Sequence, residues 1–178
     1  MNDPQRPQRT VSRITVKYVP REDRMRLSML DGESNPLVLW MTRRLAGRLI
    51  PSLVASLDQT LELPDNAPDS AKPTTQYFVQ TNAELQMKGA SPVVAPPEIS
   101  EEGLLESVRV RRKDTNYLLD LIWNDGSVTM PAHEMALRQL LRILYRNYQR
   151  GGWPIEGVWP DWFAEDAHRS LIGQNQIN

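Results

Sequence analysis

The chain contains no cysteine among its 178 residues. This absence excludes a disulfide framework, a thiolate zinc site and a cysteine nucleophile, and it argues against an extracellular location. No stretch approaches the roughly 20 consecutive apolar residues of a membrane span. The first ten residues are polar and proline-broken, without the apolar core of a signal peptide. We therefore expect a cytoplasmic protein that has no membrane partner and begins with a disordered segment over residues 1–11.

Groups that carry catalysis are also scarce, since there are only two histidines. His133 and Glu134 are neighbours on a predicted helix and point about 100° apart, so they cannot easily share a metal. His168 follows two carboxylates, but a solvated charged tail explains that pattern as well. Neither a glycine-rich phosphate loop nor a nucleophile elbow is present. We predict no catalytic residue, metal or cofactor, and we keep an enzyme built around His133 as the third class of function.

Alternating apolar residues predict three strands in the first half of the chain. Ile14, Val16 and Tyr18 give the first strand, Met25 to Met29 the second, and Leu37 to Met41 the third. Asp31-Gly32 supplies the turn between the second and third strands. Thr42 then caps an amphipathic helix that is expected to bend at Pro51 and to fade near Leu63-Pro64.

The second half repeats this order. Strands are predicted from Val108 and from Tyr117 to Trp123, with a two-residue hairpin turn in Asn124-Asp125-Gly126-Ser127 and a short strand over Val128 to Met130. Pro131 is the predicted first residue of a helix that Gly151-Gly152 stops. We predict an α+β fold of two pseudo-repeated modules, over residues 12–63 and 107–152. Each module is a three-stranded antiparallel sheet followed by an amphipathic helix.

An acidic, proline-rich connector is predicted over residues 64–106. Within it, Tyr77-Phe78-Val79 and Leu85-Gln86-Met87 are apolar enough for a short element that docks on the core or on a partner. A transient element in a flexible loop is the alternative.

A tryptophan-rich C-terminal segment is predicted over residues 153–178. Its prolines and glycine exclude a long helix, so its rings either cover the fold as a lid or insert into a partner. Four of these side chains are the predicted partner-binding residues: Trp153, Trp159, Trp162 and Phe163.

Arginines form the basic surfaces. On the second helix they recur every four residues, and such a stripe needs acidic partners, which could be phosphates, the acidic connector or another subunit. A shorter pair lies on the first helix, and a basic cluster that includes Lys113 opens the second module. The residues predicted to meet nucleic acid or an acidic partner are Arg44, Arg48, Arg109, Arg111, Arg112, Arg138, Arg142, Arg146 and Arg150.

Two functions follow from these surfaces. The first is a non-catalytic protein-binding or assembly component that self-associates as a homo-oligomer through the aromatic segment. The alternative is a regulator that binds single-stranded nucleic acid through the basic helix stripe and basic strands. The repeated sheet-and-helix layout resembles that of single-strand binders of the Whirly and PUR type, and this resemblance implies the second function.

Overall fold

The computed structural model describes residues 9–87, 89, 92 and 101–163. Its fold is α+β, as predicted, with six strands forming one mixed sheet and three α-helices. In chain order the elements are β1 (Val11–Val19), β2 (Arg24–Asp31), β3 (Pro36–Thr42), α1 (Arg43–Asp58), α2 (Ala71–Leu85), β4 (Glu101–Lys113), β5 (Asn116–Trp123), β6 (Gly126–His133), α3 (Glu134–Arg150) and a 3₁₀ turn (Asp161–Phe163).

The strands lie in the order β1-β2-β3-β4-β5-β6. Each set of three is antiparallel, as predicted, but the two sets are joined into one sheet because β3 and β4 pair in parallel. At the other side, the Thr129 amide of β6 donates to the Arg9 carbonyl at 2.8 Å, and Thr10 forms a parallel bridge with Thr129. The first and last strands therefore meet at one end, and the sheet curls towards closure.

One face of the sheet forms the core. Met25, Leu27 and Met29 of β2 are almost fully buried, and the alternate residues of the other strands join them in one cluster with the apolar sides of α1 and α3. Burying one such side chain contributes about 1.5 to 3 kcal/mol. The opposite, outward face carries the residues between them, such as Arg24 and Arg26.

Helix α1 begins as predicted, because the Thr42 hydroxyl accepts a hydrogen bond from the Leu45 amide at 3.2 Å. Pro51 lies inside the helix on its exposed side. The helix ends at Asp58, earlier than predicted. The Thr60 hydroxyl there donates to the carbonyl of Leu57 at 2.9 Å and contacts the hydroxyl of Tyr117 at 3.2 Å.

Helix α3 begins later than predicted. Pro131 is the sixth residue of β6 and not the first of the helix, and His133 is the N-cap, accepting from the Ala136 amide at 3.1 Å. Proline is tolerated there because β6 is an edge strand.

The predicted glycine stop of α3 is confirmed. Gly152 has φ 61° and donates to the Gln149 carbonyl, while the Trp153 amide donates to the Tyr148 carbonyl. This Schellman arrangement turns the chain so that the Trp153 ring packs on Tyr148, with ring centres 5.0 Å apart.

The two sets of strands share local features. A register irregularity separates Val11 from Arg13 in β1, and another separates Leu105 from Ser107 in β4. The hairpin between β5 and β6 has the predicted two-residue turn, since Trp123 pairs with Gly126. An internal repeat is consistent with these features but stays a prediction.

The connector contains more regular secondary structure than was predicted. It contains helix α2, which is longer than the short element expected around Tyr77, and β4 begins at Glu101, ahead of the predicted module boundary at residue 107. In the described part of the chain, no helix is long and apolar enough to cross a membrane.

The outer edge of β1 is completed by a side chain of α3. The Tyr18 amide donates to the Asn147 Oδ1 atom at 2.6 Å, and the Asn147 Nδ2 atom donates to the carbonyls of Val16 at 3.3 Å and Ile143 at 2.8 Å. Asn147 is 2% exposed. Its amide therefore takes the place of a neighbouring strand's peptide group.

Replacing Asn147 by Ala should lower the free energy of unfolding by about 2 to 4 kcal/mol, because it leaves a buried donor and a buried acceptor of β1 unsatisfied. Urea unfolding would measure this loss. Gln149→Ala, at an exposed position on the same helix, is the control and should change stability by less than about 0.5 kcal/mol. Equal effects of the two changes would show that Asn147 does not hold the edge of β1.

Candidate functional site

The predicted partner-binding aromatic residues are buried within their own chain. Trp153, Trp159, Trp162 and Phe163 are between 3% and 9% exposed. Trp159 and Phe163 pack on the Tyr145 ring of α3 with centres 5.0 and 5.1 Å apart. Residues 153–163 thus form a lid on α3, which was the alternative left open by the sequence, and these four rings present almost no surface to a partner. The rest of the predicted segment, residues 164–178, lies outside the described residues.

The arginine stripe of α3 is not a continuous surface. Arg138 is 1% exposed, and its guanidinium donates to Glu134 and to the Gln76 Oε1 atom, each at 2.8 Å. Arg142 pairs with Glu84 of α2 at 2.6 Å and lies over the ring of Tyr145 in α3 and the ring of Phe163 in the lid. The connector therefore supplies one partner to each of these two arginines, whereas four predicted residues remain exposed on the helices: Arg44, Arg48, Arg146 and Arg150.

The predicted basic cluster on β4 is exposed. Val108 and Val110 pack towards the core, so Arg109, Arg111 and Lys113 point outward. Arg112 is also exposed, although its position in the strand faces the opposite side from these three residues. The outward cations are spaced by two residues, which is about 6.7 Å along a strand.

Arg111 is held in place by Asp120. Two of its nitrogens donate to the carboxylate at 2.7 and 2.8 Å, and the Thr129 hydroxyl donates to the same carboxylate at 2.8 Å. The hydrogen bond from Arg111 lowers the pKa of Asp120, outweighing burial, which acts to raise it. The pairing fixes the position of one cation on the face.

A second basic group lies on β1 and β2, and the sequence analysis did not select it. Lys17 pairs with Arg26 across the strands, and Arg24 lies two pairs further along, in the next outward-facing pair. Arg13 belongs to the same outward face, and both Arg13 and Arg26 also interact within the chain. Alternation with the buried residues of β2 could have revealed these outward positions.

Trp40 lies on β3, between the two basic groups. It pairs with Arg26 of β2 on one side and with Leu104 of β4 on the other, so one row across four strands reads Lys17, Arg26, Trp40, Leu104. The ring is half-buried, and its indole N–H donates to Glu102. Trp40 also escaped the sequence analysis, although its alternation with buried Leu39 and Met41 was visible.

Charge is separated on this molecule. The whole chain has a formal charge of −1. The outward positions of β1 to β4 nevertheless carry seven cations, against Glu102 and the exposed Glu106 of the β4 bulge. We call these seven the basic sheet face: Arg13, Lys17, Arg24, Arg26, Arg109, Arg111 and Lys113.

Histidine contributes no metal site in the described residues, where no group of three or more metal-ligating side chains occurs. His133 uses its Nδ1 atom to cap α3. His168 lies outside the described residues. Comparison with protein-family models, curated proteins and solved structures gave no match.

Acid should destabilise the protein partly through Asp120. A carboxyl whose pKa is lower in the folded than in the unfolded state stabilises the fold above its unfolded pKa, and that contribution is lost as the pH falls from about 5 through the folded pKa. Asp120→Asn should therefore be less stable than the unchanged protein at neutral pH but lose less stability on acidification.

Urea midpoints at about pH 7 and about pH 3 would test this difference. Asp65→Asn, in an exposed loop, is the control and should behave like the unchanged protein. An acid-induced loss in Asp120→Asn as large as that of the unchanged protein would contradict the role given to the Arg111–Asp120 pair.

Proposed function

We propose that this protein is a non-catalytic binder of single-stranded nucleic acid and that the basic sheet face is its binding surface. The observation that supports this most is the half-exposed Trp40, which pairs with Arg26 and lies on the strand between those that carry the two groups of outward cations. Cations that follow a phosphate backbone, together with an aromatic ring on which a base stacks, are the usual components of such surfaces.

The cations that carry the proposal are Lys17 and Arg24 in one group and Arg109 and Lys113 in the other. Within the described residues none of these four makes an ion pair. Like charges repel unless an anion lies among them. Asp120 offsets this repulsion for Arg109 and Arg111, and the outward positions of Lys17, Arg24 and Lys113 favour a polyanionic ligand. Successive phosphates of an extended strand can each meet a cation of β4, because the spacing of the phosphates is similar to that of the cations.

Trp40 favours a single strand over a duplex. A base stacks on an exposed ring only when it is free of its neighbours, and bases in a duplex are already stacked and paired. The hydrogen bond to Glu102 fixes the indole at its edge and leaves the ring face unengaged by that contact. Trp40 is therefore the residue expected to make the protein bind single strands more tightly than duplexes.

An internal repeat, which belongs to the same proposal, would support this surface. If the two bulges correspond, Val11 matches Leu105 and Lys17 matches Arg111. Thr42 and His133 are likewise the N-caps of the helices that follow the third strand of each half. A duplicated unit would place a cation at the same outward position in both halves.

Self-association and a cytoplasmic location also remain proposals. The lid formed by the aromatic segment no longer supports assembly through its tryptophans, because their rings are buried. The absence of cysteine continues to favour a reducing compartment.

Lys17→Ser with Lys113→Ser should weaken binding to a random-sequence single-stranded DNA, because it removes one cation from each basic group. If each lysine contacts one phosphate, the slope of log affinity against log salt should fall by about 1.4, and affinity at low salt should fall by about tenfold or more. Fluorescence anisotropy of a labelled oligonucleotide at several salt concentrations would measure both quantities.

The matched control is Arg146→Ser with Arg150→Ser, which removes the same charge from exposed positions on α3. It should weaken binding only slightly. Equal losses in the two double variants would show that net charge, and not the sheet face, drives binding, and no binding by the unchanged protein at low salt would end the proposal.

Trp40→Leu should reduce the affinity for single strands by about 5- to 150-fold, corresponding to the loss of about 1 to 3 kcal/mol of stacking, while leaving the salt slope unchanged. The same anisotropy measurement applies, with a duplex of the same sequence for comparison. Tyr77→Leu, a half-buried aromatic on α2, is the control. An unchanged affinity in Trp40→Leu would remove the stacking role.

A further inference from the structure

Glu102 places an acidic side chain among the cations of the basic sheet face. It is the second residue of β4, and its side chain is exposed. In the parallel pairing of β3 with β4 it lies opposite Val38, one outward position before the pair of Trp40 with Leu104. A carboxylate at this point repels the phosphates that the surrounding cations attract. Its presence there therefore needs an explanation other than the binding of phosphate.

Neutralising a neighbouring cation does not explain Glu102. Asp120 has that role on the same sheet, since it pairs with Arg111 at 2.7 Å. Among the described residues, Glu102 makes no ion pair. Its Oε1 atom accepts a hydrogen bond from the indole N–H of Trp40. The Oε2 atom accepts none from the part of the chain that the structure describes, so this oxygen is available to a ligand.

The hydrogen bond from Trp40 determines where the carboxylate lies relative to the ring. An indole N–H points outward in the plane of its ring, so the group that accepts it lies at the edge of the ring. A base stacked on the face of the ring lies about 3.5 Å from the ring plane. A donor on the edge of that base, above the indole nitrogen, then comes within hydrogen-bond reach of the carboxylate, at about 2.7 to 3.2 Å.

The chemistry of a carboxylate selects among the bases. It has only acceptor oxygens, so it binds an edge that presents donors. In a single strand the Watson–Crick edge of a base is free, and that edge of guanine carries two adjacent donors, the N1–H and the N2 amino group. Adenine and cytosine present one amino donor beside an acceptor nitrogen, and thymine presents one N–H between two carbonyls. Guanine is therefore the base that engages both oxygens.

We propose that Trp40 and Glu102 together form a guanine-selective site within the basic sheet face. The Trp40 ring stacks on the base, and the Glu102 carboxylate accepts from its N1–H and its N2 amino group. Each carboxylate oxygen has two lone pairs, so Oε1 accepts from Trp40 and from the base at the same time. The cations bind the phosphates of any sequence, which makes Glu102 the specificity-determining residue. This inference rests on the proposed function, because it assigns the base that a bound single strand places on Trp40.

Three DNA strands test the preference of the unchanged protein. Each is a thymine strand of about 12 nucleotides in which every fourth base is guanine, adenine or hypoxanthine. Guanine and adenine have similar stacking surfaces, so a difference between them reports the contacts of the base edge. The guanine strand should bind about 5- to 150-fold more tightly than the adenine strand in fluorescence anisotropy. The hypoxanthine strand, which keeps the N1–H but lacks the N2 amino group, should bind with intermediate affinity.

Glu102→Gln should abolish this preference and bring the ratio of the guanine to the adenine affinity to within about twofold of one. The amide still accepts from Trp40, but its NH₂ group puts a donor where the carboxylate has an acceptor. The matched control is Glu106→Gln, which removes the same charge from an exposed position on the same strand. Both changes should raise the affinity for all three strands, because each removes repulsion of phosphate, whereas Glu106→Gln should leave the ratio unchanged.

The possible outcomes separate this inference from the proposed function. Salt-dependent binding with equal affinity for the guanine and adenine strands would reject the guanine site and leave the proposed function standing. A preference that survives in Glu102→Gln, or that is lost equally in Glu106→Gln, would reject the role of Glu102. Equal binding of the guanine and hypoxanthine strands would reject the contact with the N2 amino group. Failure of every strand to bind at low salt would reject both the inference and the proposed function.

Discussion

The unpaired edges of β1 and β6 set the main constraint on this fold. A buried strand edge must satisfy its amides and carbonyls, or it becomes a site for unwanted pairing. Here the edge is completed in two ways: Thr129 binds the Arg9 carbonyl at one end, and the Asn147 side chain binds Tyr18 and Val16 further along. The position of α3 against β1 follows, because its asparagine must reach the strand.

Once α1 and α3 occupy one face of the sheet, only the other face is free to meet a ligand. Positive charge collects on this free face. Core residues alternate with cations on β1, β2 and β4, so the alternation that builds the core also gathers positive charge outside it. Arg9 strengthens the closed end, where Glu101 and Asp31 accept its hydrogen bonds, and the bond to Glu101 raises the pKa of Arg9 above its ordinary value.

Features that depend on neighbouring residues were predictable. The strands, the Thr42 cap, the hairpin turn before Gly126 and the stop at Gly152 each follow from a few adjacent side chains. Long-range features were not. The parallel pairing of β3 with β4, the use of His133 as a cap and the strand position of Pro131 depend on tertiary geometry that no local pattern specifies.

The residues of the candidate site were also predictable only in part. The cations of β4 were selected from sequence and are exposed, but Arg138 was also selected and is buried, because its partner Gln76 comes from a helix whose polarity defies the usual pattern. Trp40 was missed although its alternation with buried neighbours was visible. The choice between a lid and a partner anchor for Trp159 could not be made from sequence, since both require the same aromatic density.

The completion of β1 by Asn147 also has a consequence for biosynthesis. The two residues joined by the Tyr18 hydrogen bond are 129 positions apart in the chain. At ordinary translation rates the ribosome needs roughly 6 to 26 s to add that many residues. The nascent chain therefore lacks the side chain that completes the edge of β1 until most of it has been synthesised.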